Sequence, residues 1–511
     1  MLSLSLKELQ SRFLSGTSLP SYLVQLSLKR MELMSSLNMF VTECPTLAME
    51  QGRESDSRYR EGKPKGTLEG VPLAIKDNFC TKDIKTSCGS LMLDNFPSPY
   101  NATVVQRCLD QGGIIMGKTN LDEFAMGSGT IDSYVGPTRN VWGGGVSYKL
   151  VDREGRVVGE HRGEGKEWVV AGGSSGGSAV AVASGAAVAS LGSDTGGSVR
   201  IPAAWVGVAS IKPSYARVSR HGLVPLVNSL DCPGVMARSV RDLAMVLDCV
   251  QGRDIMDSTS VESESIDIGQ LEGTCVKGLK VGIPQEFLCE GMSEEVVDSW
   301  SKVARLLEEG GAEVEPVSLP HTELAIPCYS VLNPCEVASN MARYDGLQFG
   351  LRGEAISSTE DMYAESRARG FNEVVRGRIL AGNYFLLKKH YQEYYLQALK
   401  VRRMVTQDYL SAWSKVDLLL TPVTLTTAPT FSNFTQRDNR SQTATQDFCT
   451  QPINLAGVPA LTLPSSLSSN NLPISIQLVA PLNQDPMLLR VGAWLEDRLD
   501  FPKLVIDEEL D

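Results

Sequence analysis

The chain reads as an α/β protein around a mostly parallel sheet. Short apolar runs of strand type alternate with amphipathic helical stretches, the pattern of β-α-β units. Two glycine-serine turns, around Ser174 and Ser198, flank an apolar Ala/Val segment within Ala171–Pro202. A hydrophobic content of 42% with 21% charged residues is that of an ordinary globular protein. No run approaches the apolar length of a membrane span.

The elements follow in order. Residues 1–65 read as helical, with Leu23, Leu26, Leu33 and Leu37 at three- and four-residue spacing behind the Pro20-Ser21 start. Val71–Ile75 is a short strand ending in Lys76-Asp77-Asn78. Asn101 is expected to cap a helix running through Asp110, with Ile114–Met116 a buried strand after it. Residues 143–168, rich in glycine and in charges of both signs, read as a surface insertion, and the acidic stretch 254–272 as an exposed connection. Beyond it, 279–283, a helix from about 293 to 309, and 312–317 form a further βαβ-like unit. A long charged helical region then covers roughly 363–415, and 416–420, 459–463 and 474–479 are late strands.

Charge and cysteine usage narrow the function. A net charge of −12 argues against nucleic-acid binding over the whole surface, which draws its affinity from basic contacts. Eleven cysteines, with no CxxC pair and no His/Cys metal spacing, read as reduced thiols, and no metal site is expected. The N-terminus lacks the layout of a secretory signal. Lys7, Arg12, Lys29 and Arg30 are interrupted by Glu8 and Glu32, so a transit peptide is not evident.

Gly112–Thr119 matches the phosphate-loop pattern GxxxxGK[ST], but its interior is itself the best strand and a helix precedes it, so a strand and turn is the expected reading. Gly172–Gly176 and Gly173–Gly177 both match GxSxG, the nucleophile elbow, which also needs an acid and a later histidine. Of His161, His221, His321 and His390, His221 is the least implausible base, and all four read better as structural or solvated. Without histidine, a lysine can take the serine proton if burial disfavours its ammonium form. Lys76 is the candidate, although by position alone a lysine closing a strand at the surface is the commoner arrangement.

Gly172-Gly-Ser-Ser-Gly-Gly177 and Asp194-Thr-Gly-Gly-Ser-Val-Arg-Ile-Pro202, with an apolar strand ending in Lys76 upstream, resemble the amidase signature family. The resemblance implies a large twisted mixed, mostly parallel sheet covered by helices on both faces. It also implies a single domain over 66–505, with the signature core at 66–250 and a substrate-side helical region at 320–415. By motif position Ser198 resembles the nucleophile, Ser174 the bridging serine on a cis peptide, and Lys76 the general base. The N–H groups of Thr195, Gly196 and Gly197 resemble the oxyanion hole, while Ser175 and Ser178 read as turn-shaping.

Lys118–Gly127, Val337–Gly346, Val375–Asn383 and Gln451–Pro459 are similar to the branch of that family that feeds ammonia from glutamine to tRNA-dependent amidation. For that branch Arg378 resembles the residue for the glutamine α-carboxylate, Asp447 the one for its ammonium, and Tyr329 a tyrosine lining the same pocket. The resemblance further implies a B subunit that uses ATP and Mg2+, a small C subunit, and Glu-tRNA(Gln) met mainly through the partner. It implies no cofactor in this chain, no membrane, and a mitochondrial matrix location. Two departures stand out: Ala171 where relatives often carry proline, and the length of the 143–168 insertion.

Overall fold

A computed structural model describes the whole chain except residues 144, 153, 162, 164–166, 355, 356, 500 and 507–511, so part of the 143–168 insertion lies outside the described residues. In chain order the strands are β1 (Phe40–Glu43), β2 (Pro72–Lys76), β3 (Ile114–Thr119), β4 (Tyr148–Val151), β5 (Val157–His161), β6 (Ala189–Asp194) and β7 (Ala209–Lys212). They continue with β8 (Cys232–Ala237), β9 (Lys280–Pro284), β10 (Glu313–Val317), β11 (Leu418–Pro422), β12 (Ala460–Leu467), β13 (Pro473–Val479) and β14 (Lys503–Ile506).

Eleven strands form one mixed sheet in the order β1-β3-β2-β6-β8-β7-β12-β13-β11-β9-β10. Parallel pairing joins β3, β2 and β6 at one side and β11, β9 and β10 at the other. These are the blocks whose crossover helices the sequence marks. Between them β6, β8, β7, β12, β13 and β11 pair antiparallel. Within this middle block β7 and β8, and β12 and β13, follow one another without an intervening helix and pair antiparallel, so they carry no β-α-β pattern.

The first 65 residues contain helices Leu6–Leu14, Pro20–Leu33 and Pro45–Arg60, together with β1, which helical periodicity did not anticipate. Leu6, Leu9, Phe13 and Leu23 are buried in the same apolar cluster as the sheet, whereas Leu33 faces solvent. The helix after Asn101 is capped at Ala102, and the Asn101 side chain accepts the Lys82 N–H instead. Tyr148–Val151 and Val157–His161 pair as a hairpin, and β14 adds a third antiparallel strand to it. The charged region expected over roughly 363–415 is several pieces, helices Thr359–Gly370, Glu373–Leu386 and Gln397–Ala412 with one π turn at Gln392–Leu396, and the apolar helix Ala325–Met341 precedes them.

Candidate active site

The C-terminal ends of parallel strands leave a crevice where α/β proteins place their ligands. β2 and β6 lie side by side and parallel, so Lys76 and Asp194, their last residues, emerge at the same edge. Both faces of β2 are covered and all five of its residues are buried, which leaves the Lys76 side chain no route to water.

Lys76 Nζ lies 2.8 Å from Ser174 Oγ, 3.0 Å from Ser193 Oγ and 3.4 Å from the Ser193 carbonyl. Burial lowers its pKa to about 7, against the opposing charges of Asp122, Asp194 and Asp231. As a free amine it donates two N–H groups, which the two Ser193 oxygens accept, and its lone pair accepts the Ser174 O–H. Asn78 Nδ2 also donates to Ser193 Oγ at 2.9 Å and fixes that hydroxyl.

Ser174 follows a cis Gly173–Ser174 peptide at the start of the helix Gly176–Ala183. A Cβ at Gly173 would fall 2.2 Å from Asp122 Oδ2 and 2.6 Å from the Gly129 nitrogen, so only glycine fits there. Asp122 holds the facing loop through the N–H groups of Thr130 and Ile131, at 2.9 and 2.8 Å. Ser175 and Ser178 donate to the carbonyls of Ser193 and Leu191, which ties the turn to β6. Ser198 differs from all of these: its side chain is partly exposed, and its Oγ makes no hydrogen bond among the described residues.

The turn that presents Ser198 is built on Asp194. Burial pushes this carboxyl up, but the Arg200 guanidinium, 3.0 Å away and itself buried, outweighs it and holds the pKa at about 2. The Asp194 carboxylate accepts the N–H groups of Gly197 and Val199, at 2.9 and 3.1 Å. The Gly197 N–H is therefore engaged, which separates it from Thr195 and Gly196 as an oxyanion donor. The N–H groups of Thr195, Gly196 and Ser198 have no backbone or side-chain acceptor among the described residues. Thr195 is fixed by Oγ1 on Asp231 at 2.7 Å, and the Gly196 carbonyl by Thr450 Oγ1 at 2.5 Å.

The two expected ends of a zwitterion clamp flank this turn. The Tyr329 ring lies on Gly196, where a Cβ would meet it at 3.1 Å. Asn333, one helical turn on, donates to Tyr329 Oη at 2.9 Å and accepts from Arg378 Nη1 at 3.2 Å. Arg378 Nη2 donates to Asn439 Oδ1 at 3.1 Å, and no carboxylate neutralises the guanidinium in an ion pair among the described residues. Asp447, whose carbonyl accepts the Thr450 N–H, takes hydrogen bonds from Ser128 and Gln451 at 3.1 Å each. Burial pushes its carboxyl up to about 7, against those bonds and the Arg378 charge.

Ser193, Asn78, Asp231, Asn333 and Ser128 were not anticipated. Only Tyr329 and Asn333 left a signal in the sequence, a polar pair at i, i+4 on one helix face. Lys118 of the phosphate-loop pattern is buried on β3, 3.2 Å from Asp77 Oδ1 and 2.8 Å from the Phe79 carbonyl, where no phosphate can reach it. No histidine hydrogen-bonds to Ser174 or Ser198 among the described residues. His321 pairs with Asp408 at 2.9 Å, and His161, His221 and His390 pack against tyrosines.

The profile of the family described as Amidase matches residues 22–146 and 165–489. The chain belongs to the amidase family. The stretch between the two matched segments coincides with the β4–β5 hairpin, an addition to the amidase framework. Curated relatives named as the mitochondrial A-type chain of glutamyl-tRNA(Gln) amidotransferase are similar over almost the whole length. The Aedes aegypti protein is 50% identical, with 98% of each chain covered, and the Xenopus laevis protein 48%, with 100% of this chain and 97% of that one covered. Among solved structures, the corresponding glutamyl-tRNA(Gln) amidotransferase chain of Thermotoga maritima superposes with a TM-score of 0.74 at 33% identity, over 96% of this chain and 93% of that one.

Proposed function

We propose that this amidase is the glutaminase component of a glutamyl-tRNA(Gln) amidotransferase of the mitochondrial matrix. The observation that carries the chemistry is the buried Lys76–Ser174 hydrogen bond, with the lysine's pKa lowered to about 7, beside Ser198, the signature serine that is partly exposed. The names of the relatives support Glu-tRNA(Gln) as the amide acceptor, and glutamine as the donor belongs to this reading.

In this reading, Ser198 Oγ turns to Ser174 and attacks the glutamine side-chain carbonyl as its proton passes through Ser174 to neutral Lys76. The carbonyl oxygen becomes an oxyanion held by the N–H groups of Thr195, Gly196 and Ser198. The C–N bond then breaks, and the proton returns through Ser174 to the departing nitrogen, which leaves as ammonia. Water, deprotonated by the same pair, hydrolyses the γ-glutamyl ester to glutamate and restores Ser198. Arg378 and Tyr329 take the α-carboxylate, and Asp447 takes the α-ammonium. The ammonia is used by a B subunit that activates Glu-tRNA(Gln) with ATP and Mg2+, clamped to this chain by a C subunit. No cofactor is assigned to this chain.

The test is glutamine hydrolysis and glutamine-dependent amidation of Glu-tRNA(Gln) by the reconstituted complex, with intact-mass detection of the acyl-enzyme. Ser198→Ala abolishes both hydrolysis and adduct, and Lys76→Ala is nearly as damaging. Ammonia-dependent amidation survives both changes, because the B subunit is untouched. Wild-type turnover in Ser198→Ala would sink the assignment. Undiminished glutamine turnover in Arg378→Ala and Asp447→Ala would point instead to an amidase for another small or lipid amide.

A further inference from the structure

The helix Glu373–Leu386, which carries Arg378, has two unlike faces. One is closed on the helix Ala325–Met341: a Cβ at Gly382 would lie 1.9 Å from the Pro334 carbonyl, so the two backbones touch. The other bears Gly377, Leu380, Tyr384, Leu387 and Tyr391, spaced three and four residues apart in one stripe that runs on past the helix end. Leu380 is 71% exposed, Leu387 47%, Tyr384 46% and Tyr391 38%. A Cβ at Gly377 would meet nothing, so the stripe opens outward at that end as well.

The charges around this stripe oppose those of the rest of the chain. Residues 376–403 hold seven lysines and arginines and one acidic residue, Glu393, in a protein of net charge −12. Lys388, Lys389, Lys400 and Arg403 are exposed. The aromatic side chains are already ordered: Tyr391 stacks on Tyr395 at 5.2 Å, and Phe385 packs on Tyr394 at 5.0 Å. Ordered tyrosines lose little entropy on contact and are enriched where binding energy concentrates.

We propose that this stripe is the docking face for the partner protein that the amidotransferase reading calls for, one that presents apolar side chains inside an acidic rim. The proposal rests on that reading for its partner, and on the stripe and its charge for the place. A second copy of the chain fits poorly, because a symmetric contact would set the basic rim against itself. A bilayer fits poorly as well, because the remaining acidic surface is repelled by anionic headgroups.

The test uses the full chain with its B and C subunits and measures their affinity by titration. Leu380→Asp with Leu387→Asp weakens the complex at least tenfold while free-chain glutamine hydrolysis is kept. Lys388→Glu with Lys389→Glu, which leaves the helix packing alone, weakens it in a salt-dependent way. Undiminished affinity in both variants, with wild type binding normally, overturns the docking face and spares the glutaminase reading. Loss of hydrolysis in Ser198→Ala with these affinity changes absent separates the two in the same way. Wild-type self-association, or binding to phosphatidylserine vesicles, that the leucine variant removes would give the face to a second copy or to a membrane and overturn the proposal.

Discussion

Lys76 and Asp447 stand at opposite ends of the proposed glutamine site, and burial brings both to the same pH. It lowers the lysine to about 7 and raises the carboxyl to about 7. Lys76 works as the free amine and Asp447 as the carboxylate, so both working forms are gained as pH rises. In the free enzyme, kcat/KM should fall on the acid side with a slope approaching about two protons. Bound glutamine sets its ammonium against Asp447 and keeps it ionised, so kcat should fall with about one. Asp447→Asn should bring kcat/KM to the one-proton slope at a raised KM; a one-proton slope in wild type would remove one of the two groups. Asn333 tests the clamp differently. A guanidinium only donates, so Asn333 must turn Oδ1 to Arg378 and Nδ2 to Tyr329, which frees the tyrosine proton for substrate. Asn333→Leu removes the acceptor of Arg378 Nη1 and the donor to Tyr329 Oη, leaves Arg378 held only by Asn439, and should raise KM about tenfold, roughly 1.4 kcal/mol, with kcat little changed. An equal fall in kcat would place Asn333 in the chemistry instead.

The helix pair that carries Tyr329 and Arg378 depends on one absent side chain. Gly382→Ala puts a Cβ into the Pro334 carbonyl and within 2.8 Å of the Ala338 Cβ, so the helices must separate. The overpacking should cost about 1–3 kcal/mol in urea unfolding, of which better helix propensity offsets at most about 1. KM for glutamine should rise with it, because Arg378 moves with its helix; an unchanged midpoint and KM would show that the contact is loose. What the sequence reveals of such elements follows from how each is buried. β2, β3, β9, β11, β12 and β13 are apolar runs between turn signals, and they were legible. β6, β7 and β8 were not, because Ser190, Gly192, Ser193, Ser210, Pro233 and Gly234 break any periodicity. Small residues are needed there: a Cβ at Gly192 would lie 3.0 Å from both Ser175 Oγ and Val199 Cγ2. The same distinction holds in the site. Lys76, Ser174 and Ser198 stand in a contiguous signature, whereas Ser193, Asn78, Asp231 and Asn333 act through neighbours that only the fold supplies. Arg378 and Asp447 looked like a helix charge and a helix cap until the resemblance singled them out.

Across the whole molecule the site conflicts with stability. Burial raises Asp132 and Asp231 to about 6, and Glu123 and Asp447 to about 7, from ordinary values of 3.8 for aspartate and 4.5 for glutamate. Between those limits the folded chain binds more protons than the unfolded one, so unfolding free energy falls as pH rises through the window. Lys76 acts in the opposite sense to a buried base that gains a partner: above about 7 the unfolded lysine stays charged and the folded one does not, so it too costs stability below its ordinary value, in full only under pH 7. Asp194, held at about 2 by Arg200, contributes stability above its ordinary 3.8 and loses it only as pH falls toward 2. Mild acid also reduces the net charge of −12, and with it the self-repulsion of the compact state. Burial raises Glu496 to about 7 as well and pushes up Asp77, Asp122 and Asp242, while it lowers two lysines, Lys76 and Lys212. The raised carboxyls outnumber the lowered lysines between about pH 5.5 and 7.5, so the protein should melt at a higher temperature at the acid end, while glutamine turnover runs the other way. Scanning calorimetry at fixed ionic strength reads the first and steady-state hydrolysis the second. A melting temperature that is flat or rises with pH over this interval would mean that the buried carboxyls ionise as ordinary ones do. Glu123→Gln, which removes one of the raised carboxyls, should reduce the slope without reversing it.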